Sequence, residues 1–128
     1  MGGGLEYEIY LLPHLSFVLG GKGEEFELRL GVMKRDPAWL LKISGIYERR
    51  FENISAGAYA SSYSAVFGEF DGMSERDFAY TLGAFIGWNT SVGSPTVKLS
   101  VGGGVALPLG VFSDFKVFPY ASLSIVWK

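Results

Sequence analysis

The feature that most constrains the fold is a two-residue alternation of apolar and polar side chains, which runs through almost the whole chain. In the first stretch the odd positions are apolar: Leu5, Tyr7, Ile9, Leu11, Pro13, Leu15, Phe17 and Leu19. After Gly20-Gly21-Lys22-Gly23 the apolar set moves to even positions: Phe26, Leu28, Leu30 and Val32. Successive side chains of a β-strand point to opposite faces. The pattern therefore predicts strands with one apolar and one polar face.

Turn-forming residues divide the chain into seven predicted strands with short connections. The strands are expected near residues 5–19, 25–32, 39–52, 54–69, 78–89, 97–107 and 114–127, and the longest connection is 71–77. This succession predicts an all-β, antiparallel up-and-down meander. In the first hairpin, a two-residue turn at Gly21-Lys22 would place Phe17 opposite Phe26, Ser16 opposite Glu27 and His14 opposite Arg29.

The bulk composition limits the class of protein. The 128 residues suit one domain, and we expect residues 1–4 to be a disordered start that replaces a removed segment, with a single barrel domain at 5–128. Apolar residues make up 48% of the chain, which excludes a disordered protein. The net charge of −2, without a basic stripe, argues against nucleic acid as a partner. With no cysteine and one histidine, we expect no disulfide, no metal site and no cofactor.

The length of the strands and the chemistry of their polar face indicate whether that polar face lines the interior of a barrel or faces the solvent. Soluble strands average about 5–6 residues, whereas about 9–11 residues of tilted strand cross a bilayer. The polar face of the later strands is mostly glycine, alanine, serine and threonine, which suits a crowded lumen. Its charges are mixed in sign and can pair across a narrow lumen. We predict a lumen charge network of Glu25, Glu27, Arg29, Lys42, Glu48 and Arg50.

Aromatic side chains gather toward the strand ends, where girdles lie in membrane barrels. The predicted girdle consists of Trp39, Phe78, Trp88, Phe115 and Trp127. The sequence therefore favours a transmembrane barrel with a lipid-facing outer surface.

These features resemble the small outer-membrane β-barrel proteins of Gram-negative bacteria, the eight-stranded meanders. The most specific part is the stretch 120–127, which alternates and ends in an aromatic, Trp127. It is similar to the terminal strand that such proteins present to their assembly machinery, although Lys128 follows here. The resemblance implies eight strands, a bacterial outer-membrane location, and membrane lipid or detergent as partner. It also implies a structural, adhesive or minor-conduit role without enzymatic activity. If one chain could not close the barrel, copies would assemble as a homo-oligomer.

His14, Ser16 and Glu27 are candidates for catalysis, because a carboxylate-oriented histidine can activate a serine hydroxyl. The outer-membrane lipid A deacylases are similar in using a His-x-Ser pair with a glutamate. In this chain the pair falls on the face assigned to the lumen, so a hydrogen-bond network is the favoured interpretation.

Two further alternatives remain open. A soluble lipocalin-like barrel would bind an apolar ligand in a cavity lined by Leu28, Ile43, Leu82, Leu99 and Leu123. An engineered or excised barrel fragment would have no native function.

Overall fold

The computed structural model shows a closed barrel of eight antiparallel strands in up-and-down order. It describes residues 2–8, 10–21, 23–35, 38–68, 78–91, 95–110 and 114–127. The strands are β1 (Gly2–Tyr7), β2 (Leu11–Gly20), β3 (Glu24–Arg35), β4 (Ala38–Phe51), β5 (Ile54–Val66), β6 (Phe78–Ser91), β7 (Thr96–Gly110) and β8 (Lys116–Val126). The all-β meander is confirmed. The connection at 71–77 and Lys22 of the predicted turn lie outside the described residues.

The count of seven strands is wrong, and the eight that the resemblance implied are present. The predicted strand 5–19 consists of β1 and β2, which pair with each other from Gly2↔Ser16 to Tyr7↔Leu11. The connection between Tyr7 and Leu11 has three residues, so the outward positions stay odd-numbered on both sides and the alternation passes through the turn unbroken. The expectation of a disordered start at 1–4 is also wrong for Gly2–Gly4, which belong to β1.

A single chain closes the barrel. β1 pairs with β8 from Gly2↔Val126 to Tyr7↔Ala121, so the first and last strands are neighbours. This closure removes the condition under which a homo-oligomer was expected.

The register of the β2–β3 hairpin differs by two residues from the predicted one. Phe17 pairs with Leu28 and Ser16 with Arg29, in place of Phe26 and Glu27. The backbone N–H of Gly21 donates to the carbonyl of Glu24 at 3.0 Å, and Gly23 has a φ of 77°. Because glycine tolerates this left-handed conformation, the turn centres one residue later than predicted. A two-residue shift of register keeps every side chain on its predicted face.

The alternation correctly predicts the two faces of the wall on every strand except β5. There the sequence pattern, with a one-residue turn at Asn53, predicts Tyr59 and Tyr63 on the apolar outer face and Ala58 and Ala60 on the lumen face. Instead Tyr59 and Tyr63 are buried in the lumen, while Ala58 and Ala60 are exposed. The turn of Glu52 and Asn53 joins the paired residues Phe51 and Ile54, and this two-residue connection fixes which positions of β5 face outward.

The two ends of the barrel differ in their connections. The last residues of β2, β4, β6 and β8 and the first residues of β1, β3, β5 and β7 lie at one end, called the short-turn end. The last residues of β1, β3, β5 and β7 and the first residues of β2, β4, β6 and β8 lie at the other, called the loop end.

Candidate functional site

The lumen contains a network of charged side chains centred on Arg29. The guanidinium, on β3, donates from Nε to Glu27 Oε2 at 2.6 Å and from Nη1 to Glu6 Oε2 at 2.8 Å. Nη1 also donates to the Tyr120 hydroxyl at 2.9 Å, and Nη2 donates to Ser124 Oγ at 3.4 Å. Arg29 is only 3% exposed. One arginine thus connects β1, β3 and β8 across the interior.

Toward the loop end, Lys42 on β4 joins this network to Glu8. Its ammonium lies 3.1 Å from Glu6 Oε1 and 3.6 Å from Glu8 Oε1. The Glu8 carboxylate accepts hydrogen bonds from Tyr63 at 2.8 Å, from Thr81 at 2.9 Å, and from Tyr59. Since Glu8 is almost fully buried, these donors replace the water that an ionised carboxylate would otherwise need.

Lys98 on β7 organises the short-turn end. Its ammonium lies 2.8 Å from Glu48, 3.3 Å from Glu25 and 3.8 Å from Glu27. Arg50 pairs with Glu25, and its side chain is 26% exposed. The lumen charges are nearly balanced, because the carboxylates of Glu6, Glu8, Glu25, Glu27 and Glu48 face the cations of Arg29, Lys42, Arg50 and Lys98.

Apolar and aromatic side chains occupy the rest of the interior. Near the loop end one buried cluster consists of Leu12, Ala38, Leu40, Tyr63, Ala65 and Ala79. At mid-height a second consists of Ile46, Tyr59, Phe85 and Tyr120, in which the Tyr59 and Tyr120 rings stack at 4.5 Å. Gly83 and Gly104 are cross-strand partners, and a Cβ on either would collide with the Tyr59 phenol. These glycines leave the space that the Tyr59 ring fills.

The predicted charge network and the observed one overlap. Glu25, Glu27, Arg29, Lys42, Glu48 and Arg50 all lie in the lumen and form ion pairs there. The sequence reasoning omitted Glu6, Glu8, Lys98 and the lumen tyrosines. The alternation had already placed Glu6, Glu8 and Lys98 on the polar face, so that signal was present. The alternation had placed Tyr120 on the polar face as well. Tyr59 and Tyr63 carried no such signal, because an apolar ring with a hydroxyl fits either face.

The structure does not assemble the catalytic candidates as a triad. Ser16 Oγ donates to Glu27 Oε2 at 2.8 Å, while His14 Nε2 lies 3.0 Å from Ser124 Oγ. The other ring nitrogen of His14, Nδ1, is buried and has no hydrogen-bond partner among the residues that the structure describes. A histidine that activates a serine must contact that serine and be oriented by a carboxylate. Here His14, Ser16 and Glu27 instead belong to the hydrogen-bonded interior around Arg29.

The five predicted girdle residues are exposed and lie near the two ends of the barrel, Trp39, Phe78 and Trp88 on the outer face of their strands and Phe115 and Trp127 next to the ends of β8. Trp39, Phe78 and Phe115 lie near the loop end, and Trp88 and Trp127 near the short-turn end. The positions that a soluble lipocalin-like barrel would turn inward are also on the outer face: Leu28, Ile43, Leu82, Leu99 and Leu123.

Neither a metal cluster nor a spanning helix is found in the described part of the chain. Its His, Asp and Glu side chains include no group of three or more that could hold a metal ion. None of the described segments is a helix long and apolar enough to cross a membrane.

No protein-family model matches the chain, and comparisons with curated proteins and with solved structures detect no significant similarity.

Proposed function

We propose that this chain is a small bacterial outer-membrane β-barrel protein with a structural role, whose polar lumen is filled by its own side chains. The observation that carries the proposal is the inverted distribution of polarity, with charges inside the barrel and large apolar side chains outside.

The outer wall is a belt without charge between its two ends. On the described strands the outward-facing charges are Glu24, Lys34 and Arg49, each close to a strand end. Between them the exposed positions carry apolar residues such as Leu15, Leu28 and Ile86. Monomeric soluble proteins rarely expose contiguous apolar patches above a few hundred Å². A belt around the whole barrel is typical of a surface that meets lipid.

The height of the belt fits a bilayer. On β6 the predicted girdle residues Phe78 and Trp88 mark the two edges of the apolar belt. Ten residues at about 3.3 Å each span about 33 Å along the strand, and a tilt of about 40° reduces this to about 25 Å along the axis. An apolar band of about 25 Å is the height expected for an outer-membrane barrel.

The filled lumen favours a structural role over a conduit. Eight strands leave an interior just wide enough for side chains, and here Arg29, Lys42, Tyr59 and Tyr63 occupy it, each at most 4% exposed. A soluble carrier of an apolar ligand would need the reverse arrangement, with an apolar interior. Lipid hydrolysis would need Ser16 to reach an acyl chain, yet Ser16 is fully buried beside Glu27.

Refolding with and without detergent tests the proposal. The urea-unfolded chain is diluted into plain buffer and into detergent micelles, and gel filtration and far-UV circular dichroism are recorded for both. We expect aggregation in buffer, and a monodisperse β-protein with a cooperative unfolding transition in micelles. A monodisperse β-protein in buffer alone would contradict the proposal. As a control for the effect of detergent itself, a soluble β-barrel protein of known stability is refolded and measured in the same buffer and micelles.

A further inference from the structure

The ammonium group of Lys42 lies in an unusual position between aromatic rings. Its Nζ is 5.1 Å from the ring centre of Tyr63 and 5.9 Å from those of Tyr59 and Tyr120. A cation within about 6 Å of a ring centre is attracted by the ring quadrupole, and more strongly where water is excluded. Lys42 is 1% exposed, so three such rings surround a desolvated cation.

Two carboxylates complete the surroundings of this ammonium. Glu6 Oε1 lies 3.1 Å from Nζ and Glu8 Oε1 lies 3.6 Å away. Among the described residues Glu6 Oε1 accepts no hydrogen bond of good geometry, so the Lys42 ammonium is its nearest charge, while Arg29 binds the other carboxylate oxygen, Oε2. The rings and carboxylates come from β1, β5, β8 and the residue after β1, so the site exists only in the closed barrel.

We propose that the lumen contains a binding cage for a primary alkylammonium ion, built from Tyr59, Tyr63, Tyr120, Glu6 and Glu8, and that Lys42 is its tethered ligand. Aromatic rings with carboxylates are the groups by which proteins recognise ammonium ligands. Removing the lysine side chain leaves a site of the same chemistry, open to a free alkylammonium ion of matching size. The cage lies in the lumen, so its binding of an ammonium ion does not depend on the medium that contacts the outer face.

Lys42→Ala provides the test, because the deletion removes three carbons and the nitrogen. n-Propylammonium contains the same heavy atoms, so it can replace them. The full-length variant is refolded at constant ionic strength with n-propylammonium chloride, with 1-propanol, or with sodium chloride alone, and the urea midpoint is measured. At ten times its Kd the amine should raise the folded-to-unfolded ratio about tenfold. The alcohol and sodium should have little effect.

The chain offers a matched control in Lys98. Its ammonium lies among Glu25, Glu27 and Glu48 without an aromatic ring in the contacts described for it. In Lys98→Ala, sodium should therefore stabilise as well as n-propylammonium does. Equal stabilisation by sodium in Lys42→Ala, or none by the amine, would overturn the proposal. If Lys42→Ala does not fold alone, the folded fraction recovered with the amine is the readout, and no recovery would likewise overturn it.

A second pair of variants tests the rings separately from the carboxylates. On the Lys42→Ala background, Tyr63→Phe keeps the ring and Tyr63→Leu removes it. The affinity for n-propylammonium should stay within about threefold for the phenylalanine and fall by about tenfold for the leucine, as expected for the loss of a buried cation–π contact. Equal affinities in the two variants would show that the rings do not bind the cation.

Discussion

Arg29 shows how a single side chain supports the interior of this barrel. Its guanidinium contacts Glu6, Glu27, Tyr120 and Ser124 on three different strands. The planar fork of an arginine suits several acceptors at fixed angles, which a lysine ammonium in the same place would not match. Its removal would leave Glu6 and Glu27 buried with much less compensating charge.

Arg29→Ala should lower the free energy of unfolding by about 3–5 kcal/mol, the usual cost of breaking a buried ion pair. Arg49→Ala is the matched control. Arg49 is exposed on the outer face of β4, so its removal should change stability by less than about 0.5 kcal/mol. Urea titration in micelles measures both. If Arg29→Ala lowered the free energy of unfolding no more than Arg49→Ala does, the Arg29 network would not stabilise the barrel as proposed.

Individual lumen residues also show what could and could not be predicted from the sequence. Arg29 and Lys42 were identified as lumen residues because alternation alone assigns a face. Their partners were not predicted, because which side chains meet across a lumen depends on strand tilt and register, neither of which is local. His14 illustrates this, since its partner Ser124 is on the last strand, 110 positions away.

At the scale of the strands, connection length determines what the alternation can reveal. Across the three-residue connection between β1 and β2 the odd-numbered residues continue to face outward. The alternation of apolar and polar residues is therefore unbroken and gives no sign of the turn. Across the two-residue turn at Glu52 and Asn53 the outward-facing residues change from odd-numbered on β4 to even-numbered on β5. Glu52 takes a φ of 59° in this turn. A two-residue turn at this position predicts Tyr59 and Tyr63 in the lumen, whereas a one-residue turn at Asn53 predicts them outside. Turn length, more than hydrophobicity, was the missing information for β5.

The β2–β3 register can be tested by disulfide formation, because the chain has no cysteine of its own. Phe17→Cys with Leu28→Cys places the two residues opposite each other on the outer face. Phe17→Cys with Phe26→Cys would be opposite only in the register first predicted. Directly opposed Cβ atoms are about 4.5–5.5 Å apart and diagonal ones farther, so the first pair should oxidise faster. Non-reducing electrophoresis of the folded protein measures both rates, and a faster second pair would contradict the observed register.

At the scale of the whole molecule, the barrel depends on the joint between β1 and β8. β1 is short and has six pairs with β8, whereas β4 and β5 share thirteen. Gly4 faces inward at this joint, and a Cβ there would collide with the backbone of Leu123 and Ser124. The absence of a side chain at Gly4 therefore allows the first and last strands to approach each other closely.

Gly4→Val should destabilise the closed barrel by about 1–3 kcal/mol or more, as overpacking against backbone does. Gly45→Val is the matched control, because a Cβ at Gly45 meets nothing within 4 Å and valine favours strands. We expect the control to be as stable as the parent protein and monomeric in micelles. The Gly4 variant should show a lower urea midpoint and a larger particle by gel filtration, since open edges pair with other copies. Identical behaviour of the two variants would contradict the role of Gly4.

The joint between β1 and β8 also has a consequence for biosynthesis. β1 is synthesised before β8, and six further strands separate them along the chain, so these two edges must remain apart until β8 has been made. Closing so large a loop is entropically costly, and contacts distant in sequence form late. During that interval the apolar outer residues and the unpaired edges are open to aggregation. We therefore expect the closure between β1 and β8 to be a late step of folding, after the strands between them have formed their pairs.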